Sequence, residues 1–398
     1  MKIVAIPNAH ALAHVSRLLE IAKILRSDRH EIIFAGFGKF LQLAEDADFA
    51  AQELPYITIE QIMDAVRSQK LNRLYCLPEL EHFVQEEITL LQRINPDLVL
   101  IDNRPTARTA ADYCGIKTAA VLNVHMSSYR KLPFFSLGDY FSPLQALDPI
   151  ETKIECWFYD RFVMNDLNKL RQKMGLRRLF GNQHEEGDLS LLADIPEFNP
   201  VRYLPQHAHY VGPITWHNDF PEPSCLPKLD PERKTVYFSL GSASLQELIT
   251  QLGSLTSENI QIVVAYGKFD ESVAKTELPQ HVYLEEYVNA DKLLPYCDAV
   301  CCHGGNGTLY QALNFGLPVV AVATHAEQAI GAKRLQQLGL GKALHLKDIQ
   351  THGVVCLVET IKAVLVDKKM RETCLDFSAT LKNWHGAANS ALKIESLR

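Results

Sequence analysis

A chain of 398 residues carrying a net charge of −7, with 47% hydrophobic and 22% charged residues, has the composition of a folded protein of two or three domains. That balance excludes a disordered chain and argues against nucleic-acid binding through a broad basic face. The longest apolar runs, such as Leu317–Ala323, fall well short of the roughly 18–20 residues that span a bilayer.

The N-terminus reads MKIVAIP, a strand-like run with no charged region leading into a long apolar stretch, so no signal peptide is expected. Nine cysteines are scattered along the chain without a CxxC pair. They are expected as free thiols of a reducing, cytoplasmic compartment, with Cys301 and Cys302 acting as small buried hydrophobes.

Short apolar runs alternate with helical patterns. In the first half the runs are Lys2–Ile6, Glu31–Phe34, Leu98–Ile101, Thr118–Leu122 and Leu189–Leu192. Helical stretches lie at Val15–Leu25, Ile59–Ile94 and Ala107–Tyr113. The second half repeats the scheme with Thr235–Ser239, Gln261–Ala265, Val282–Leu284, Ala299–Cys302 and Val319–Ala323. Continuous apolar runs between helices indicate parallel strands covered on both faces. Two such series predict an α/β protein of two doubly wound, Rossmann-like domains facing across a cleft, with the site at the carboxyl ends of the strands. The segment TWHNDFPEPSCLPKLDPERK holds four prolines in 20 residues and no periodicity, as a linker would. The expected division is an N-terminal domain over 1–214, a linker over 215–234, a C-terminal domain over 235–380, and a C-terminal helix within 381–398 that returns to the first domain.

The most informative stretch is residues 299–342, AVCCHGGNGTLYQALNFGLPVVAVATHAEQAIGAKRLQQLGLGK. A strand leads into His303 and a turn rich in glycine (Gly304, Gly305, Gly307), and Thr308 opens a helix running to Asn314. Glycines let backbone approach a ligand, and a helix N-terminus presents N–H groups and partial positive charge to phosphate. A second strand follows, then Glu327 and Gln328, an acid–amide pair suited to sugar hydroxyls.

This stretch resembles the donor-binding signature of the family 1, GT-B-fold glycosyltransferases that use UDP-sugars, of the bacterial macrolide and natural-product type. The matching residues are His303-Gly304-Gly305-Asn306-Gly307-Thr308, Ala312-Leu313-Asn314-Phe315-Gly316-Leu317-Pro318, Glu327-Gln328 and Leu338-Gly339-Leu340-Gly341. The resemblance extends to VYFSLGSAS, which implies Gly241 and Ser242 near the diphosphate, and to EEYVNADKLL, which implies Tyr287 and Val288 at the base. Where the family has Trp, stacking on the base, this chain has Tyr287. Where it has Gln three residues on, this chain has Ala290. Where it has a ribose-binding Glu, this chain has Gln311. Gln keeps hydrogen bonding but loses the carboxylate's charge and paired acceptors. UDP is the expected nucleotide, with TDP as the alternative. No metal or resident cofactor is expected.

On the acceptor side, PNAHALAH leads into the first helix. A His at such a loop can act as a general base near neutral pH. The resemblance assigns that role to His14, with His10 as a competitor and a solvated or capping His as the plain alternative. Asp102, at the end of the strand Leu98–Ile101, would orient the base; it could also be an ordinary turn Asp. Residues 129–162 contain nine aromatics. In the family this region walls the acceptor pocket, which brings in Tyr129, Phe134, Phe135 and Tyr140 together with His10 and Asn123. Aromatic packing between helices is an equal alternative. The same region is the expected place for peripheral membrane contact or a lipophilic acceptor.

Other motifs are weak. Asp46-Ala47-Asp48 has the DxD form but no preceding strand, so a solvated face is expected. Gly267-Lys268 and Gly341-Lys342 lack P-loop spacing. His10 and His14 are spaced HxxxH, but no Glu follows His10 as HExxH requires. The resemblance therefore implies an inverting glycosyltransferase. It would move a hexose, with glucose expected, onto a hydroxyl of a small aromatic or lipophilic acceptor. A UDP-sugar 2-epimerase and a non-catalytic sugar-nucleotide binder of the same fold are the rival readings.

Overall fold

A computed structural model of the chain describes residues 1–68, 74–134, 146–217, 220–239, 259–265, 280–324 and 326–397. It divides into two compact units, Met1–Trp216 with His385–Arg398, and His217–Trp384.

The first unit is built on seven strands: β1 (Lys2–Pro7), β2 (Glu31–Gly36), β3 (Ala50–Glu53), β4 (Leu98–Asp102), β5 (Lys117–Leu122), β6 (Leu189–Leu192) and β7 (Ala208–Tyr210). Their order is β3-β2-β1-β4-β5-β6-β7, and each neighbouring pair is parallel. Alternation along the central strands feeds two cores. Val4, Ile6, Val99 and Ile101 face one cluster, under the helices Leu77–Ile94 and Pro105–Cys114. Ile3, Ala5, Leu98 and Leu100 face the other, under the helices Leu12–Ser27 and Gly386–Glu395. A period of two on strands buried on both sides gives this division.

The second unit repeats the plan with β8 (Lys234–Ser239), β9 (Ile260–Ala265), β10 (Val282–Glu285), β11 (Ala299–Cys302), β12 (Val319–Ala323) and β13 (Gly341–His345). The order is β10-β9-β8-β11-β12-β13, again parallel throughout. In each sheet the strand order reverses once among the described strands, at β1/β4 and at β8/β11. Doubly wound sheets bind ligands at such switch points.

Several expectations are corrected in detail. The helix anticipated over Ile59–Ile94 is two helices, Ile59–Arg67 and Leu77–Ile94, the second started by Pro78 within its first turn. The first helix begins at Leu12, three residues before Val15. Three strands have no apolar run to announce them. β3 is AAQE with no buried residue, and β7 has three residues. β13 begins at Gly341, in what reads as the tail of a helix-ending LGxG.

The proline-rich segment is pinned to the second unit. Ser224 Oγ and the Cys225 N–H both donate to Glu285 Oε1 at 2.9 Å, and Asp230 N–H donates to Gln261 Oε1 at 2.9 Å. The C-terminal helix Gly386–Glu395 packs in the first unit. Ala391 and Ile394 join its core, and Asn389 Nδ2 donates to the Val211 carbonyl at 2.8 Å.

Candidate active site

In the first unit, the site begins at the β1/β4 switch point. Pro7 and Asp102 are register partners at the ends of those strands, and the Asn8 N–H donates to the Asp102 carbonyl at 2.9 Å. The loop then turns into the helix Leu12–Ser27, whose first turn carries His14 and, one turn on, Arg17 on the same face. Both side chains converge on Asp102, which is 1% exposed.

The Asp102 carboxylate takes three donors. His14 Nδ1 lies 2.7 Å from Oδ1, Arg17 Nε 2.9 Å from Oδ2, and Arg17 Nη2 2.8 Å from Oδ1. An ionised carboxylate only accepts, so Nδ1 carries the imidazole proton and Nε2 keeps its lone pair. His14 Nε2 has no hydrogen-bond partner among the described residues, and its side chain is part-exposed. Arg17 Nη1 donates on to Asn123 Oδ1 at 2.6 Å. Arg17 and the link to Asn123 were not anticipated. The signal was present as an Arg three residues after His14, but only the fold brings it to Asp102.

His10 has a different fate. Its Nε2 lies 2.7 Å from the Ile57 carbonyl, which can only accept, so Nε2 is protonated there and is not a base. Its ring packs edge-on to Phe37 at 5.5 Å. The two histidines of the HxxxH spacing therefore point their nitrogens at different partners.

Of the aromatic candidates, Tyr129 is buried within the first core, and burial raises its phenol well above the usual range. Phe134 is half-buried, 6.2 Å edge-on from His125 and under the Arg130 guanidinium at 4.9 Å. Phe135 and Tyr140 lie outside the described residues. Asp46 and Asp48 are both exposed, as a solvated face would be. Among the described residues no group of three or more His, Cys, Asp or Glu clusters as metal ligands do.

In the second unit, β11 ends at Cys302 beside β8, and the chain turns through His303, Gly304 and Gly305 into the helix Asn306–Asn314. That helix opens two residues before Thr308. Its N-cap is Gly305, which has no side chain to offer, and a helix start of this kind presents backbone N–H groups suited to an anion. Gly307 has open space where a side chain would stand. Gly304 adopts φ +88° and packs against the Gln328 carbonyl, a conformation that an L-residue rarely takes.

A third glycine matters here and was not singled out. Gly331, on the helix Ala326–Gln337, lies under the turn. A Cβ there would come within 2.9 Å of the Gly304 carbonyl oxygen and 3.3 Å of Asn306 Oδ1. Burial pushes the Cys302 thiol up to about 12, opposed by a backbone hydrogen bond at Gly304, so this thiol stays protonated beside the turn.

Glu327 and Gln328 begin the helix after β12. Glu327 is exposed, while Gln328 is buried with Oε1 accepting from the Thr324 N–H at 3.0 Å and Thr324 Oγ1 at 2.8 Å. Gln328 thus holds the turn with its oxygen. Thr308 and Gln311 are part-exposed on the helix. Tyr287 is exposed with Phe220 5.3 Å away and tilted by 35°, and Val288 is buried. Phe220 belongs to the proline-rich segment and was not expected beside the proposed base site. Gly241 and Ser242 lie outside the described residues.

The family model for the C-terminal domain of erythromycin biosynthesis protein CIII-like proteins matches residues 246–383. A PGL/p-HBAD biosynthesis glycosyltransferase of Mycobacterium tuberculosis (strain ATCC 25177 / H37Ra) is 26% identical over 374 residues, spanning 90% of this chain and 84% of that protein. A PGL/p-HBAD biosynthesis rhamnosyltransferase of Mycobacterium bovis (strain BCG / Pasteur 1173P2) is 26% identical over 358 residues, spanning 89% and 79%. Among solved structures, a calicheamicin glycosyltransferase superposes with TM-score 0.71 at 21% identity, covering 99% of this chain and 97% of that one. A spinosyn rhamnosyltransferase complexed with thymidine diphosphate gives TM-score 0.71 at 15% identity, covering 98% of each. Together with two Rossmann-ordered sheets and the HGGNGT turn, these identify the chain as a glycosyltransferase of the GT-B fold whose residues 246–383 match the erythromycin CIII-like C-terminal domain.

Proposed function

We propose that the protein is an inverting hexosyltransferase that uses a nucleoside-diphosphate sugar and glycosylates a hydroxyl of a small acceptor, with His14 as general base and Asp102 as its orienting partner. The observation that carries this reading is the 2.7 Å contact between His14 Nδ1 and Asp102, which leaves Nε2 as the imidazole's basic nitrogen. His14 Nε2 takes the acceptor proton. The acceptor oxygen bonds to the anomeric carbon, the carbon–oxygen bond to the diphosphate breaks, and the nucleoside diphosphate leaves. Its charge is met at the N-terminal end of the helix Asn306–Asn314, with His303 and Thr308 as further donors. In this reading Gly241 and Ser242 contribute to the same cradle. Tyr287 and Val288 border the base, Gln311 the ribose, and Glu327 and Gln328 the sugar. Such preorganised donors typically contribute about 3 kcal/mol each.

UDP is the first nucleotide to test, on the motif resemblance. TDP is the second reading, favoured by the thymidine diphosphate named for the spinosyn rhamnosyltransferase and by Ala290 and Gln311. Rhamnose joins glucose as a sugar to test, since two of the similar proteins are named rhamnosyltransferases. The acceptor is of the aromatic or lipophilic small-molecule class.

The experiment is a thermal-shift panel of UDP- and TDP-hexoses, followed by a mass-spectrometric acceptor screen and assignment of the product anomer. His14→Ala is expected to lose transfer while keeping the donor-induced thermal shift. Full transfer by that variant would refute the base assignment. Slow donor hydrolysis without acceptor separates a transferase from a pure binder, and interconversion of the donor's sugar would identify an epimerase.

A further inference from the structure

We propose that the helix Asp148–Phe158 and its continuation Tyr159–Val163 form a docking surface for an anionic lipid bilayer. Ile150, Ile154, Trp157, Phe158 and Phe162 recur at helical spacing and form one stripe. Each is 47–56% exposed, whereas Thr152 and Cys156 on the opposite side are buried. The stripe is a continuous aromatic surface. Trp157 meets Phe158 at 5.1 Å and Phe162 at 6.3 Å, and Phe158 stacks on Phe162 at 5.5 Å with ring planes 22° apart. A contiguous exposed apolar patch of this kind marks an interaction site.

The charges around the stripe select the partner. The exposed charged residues between 146 and 180 are all basic, among them Lys153 and Arg161 on the stripe's own helical run and Arg177 and Arg178 beyond it. Of the segment's acids, Glu155 and Asp160 turn inward, while Asp148, Glu151 and Asp166 are half-buried, Asp166 paired with Lys169 at 2.7 Å. Glu155 accepts from Arg130 at 3.0 Å and from the Phe134 N–H at 3.0 Å. Asp160 is buried and accepts from Asn168 at 2.9 Å and Arg178 at 3.2 Å. This sorting occurs in a chain whose net charge is −7. Trp and Phe flanked by Lys and Arg suit the headgroup region of an anionic leaflet, where rings enter the interface and bases meet phosphate. A symmetrical pairing of two stripes would instead bring four bases together with no exposed acid of this segment to meet them. Among the described residues no helix is long and apolar enough to cross a membrane, so the contact is peripheral.

The test uses the full-length protein and vesicles of phosphatidylcholine alone or with about one-third phosphatidylglycerol. The protein is expected to sediment with the anionic vesicles, to stay in solution with the neutral ones, and to be released by high salt. In a W216F/W384F background, the Trp157 emission should shift to the blue on vesicle binding. F158S/F162S and K153E/R161E should each weaken partitioning roughly tenfold or more while keeping the wild-type melting temperature. Absence of sedimentation with anionic vesicles would overturn the proposal. So would equal binding to both vesicle types, or undiminished binding by correctly folded variants. A dimer in size-exclusion chromatography that F158S/F162S dissociates would assign the stripe to a second copy instead.

Discussion

Arg17 grips both carboxylate oxygens of Asp102, with Nε 2.9 Å from Oδ2 and Nη2 2.8 Å from Oδ1, on the same carboxylate that receives His14 Nδ1. Arg17 Nη2 is also 3.1 Å from His14 Nδ1, so two donors share one acceptor oxygen. The guanidinium fixes the carboxylate plane and neutralises a charge that is otherwise sealed from water.

Removing that cation isolates a buried carboxylate. Arg17→Met is expected to cost about 3–5 kcal/mol of stability, read as a lower midpoint in urea unfolding. Arg17→Lys should recover only part of it, because an ammonium cannot form the two-pronged contact. Wild-type stability in Arg17→Met would mean that the contact contributes little.

Asp102→Asn preserves shape and removes the acceptor that holds Nδ1–H. The amide can present N–H to the ring, favouring the tautomer in which Nε2 is protonated. Transfer is expected to drop by about 10²–10⁴-fold with donor affinity unchanged. Steady-state kinetics with the donor varied would show this as a fall in kcat at constant donor KM. A change confined to KM would argue against an orienting role.

Gly331→Ala places a methyl group against the Gly304 carbonyl oxygen and Leu309 Cδ1, at 2.9 and 3.0 Å. The turn must shift by several tenths of an ångström. Overpacking of this kind typically costs about 1–3 kcal/mol, and here it should fall on donor affinity as well as on stability. Titration calorimetry with the nucleoside diphosphate checks it. Unchanged affinity would show that the turn is not part of the donor cradle.

His184 is fully buried beside the Leu179 backbone. Burial, helped by Arg171, pulls its pKa down to about 3. The folded state keeps it neutral, while the unfolded chain protonates it below about pH 6.5. Its contribution is therefore full above pH 6.5 and is lost as the pH falls towards 3, reaching about 2 kcal/mol of destabilisation at pH 5. His184→Leu should flatten that part of the profile in urea titrations at pH 7 and 5. A slope equal to wild type would clear His184 of any part in acid sensitivity.

Residues 299–342 were legible because their chemistry is local. A strand, a glycine turn and a helix start lie consecutively, and each dictates its neighbour's geometry. The central strands were legible for a related reason: burial on both faces demands an unbroken apolar run, as in Val319–Ala323. Edge strands carry no such demand. Ala50–Glu53 and Ala208–Tyr210 are strands because a neighbour offers them backbone hydrogen bonds, which composition does not record.

The sequence by itself determined an acidic α/β chain with a glycine turn leading into a helix, and a His near the first strand. Its net charge of −7 already required any anion to be held by local N–H groups and a few side chains instead of a basic face. Only the tertiary structure decided which histidine faces a carboxylate. His14 and Asp102 are 88 positions apart, and the parallel pairing of β1 with β4 brings their strand ends together. The same pairing gave Arg17 its place on Asp102, and the fold tied His10 to the Ile57 carbonyl. The choice rests on long-range strand register, which no local pattern of residues encodes.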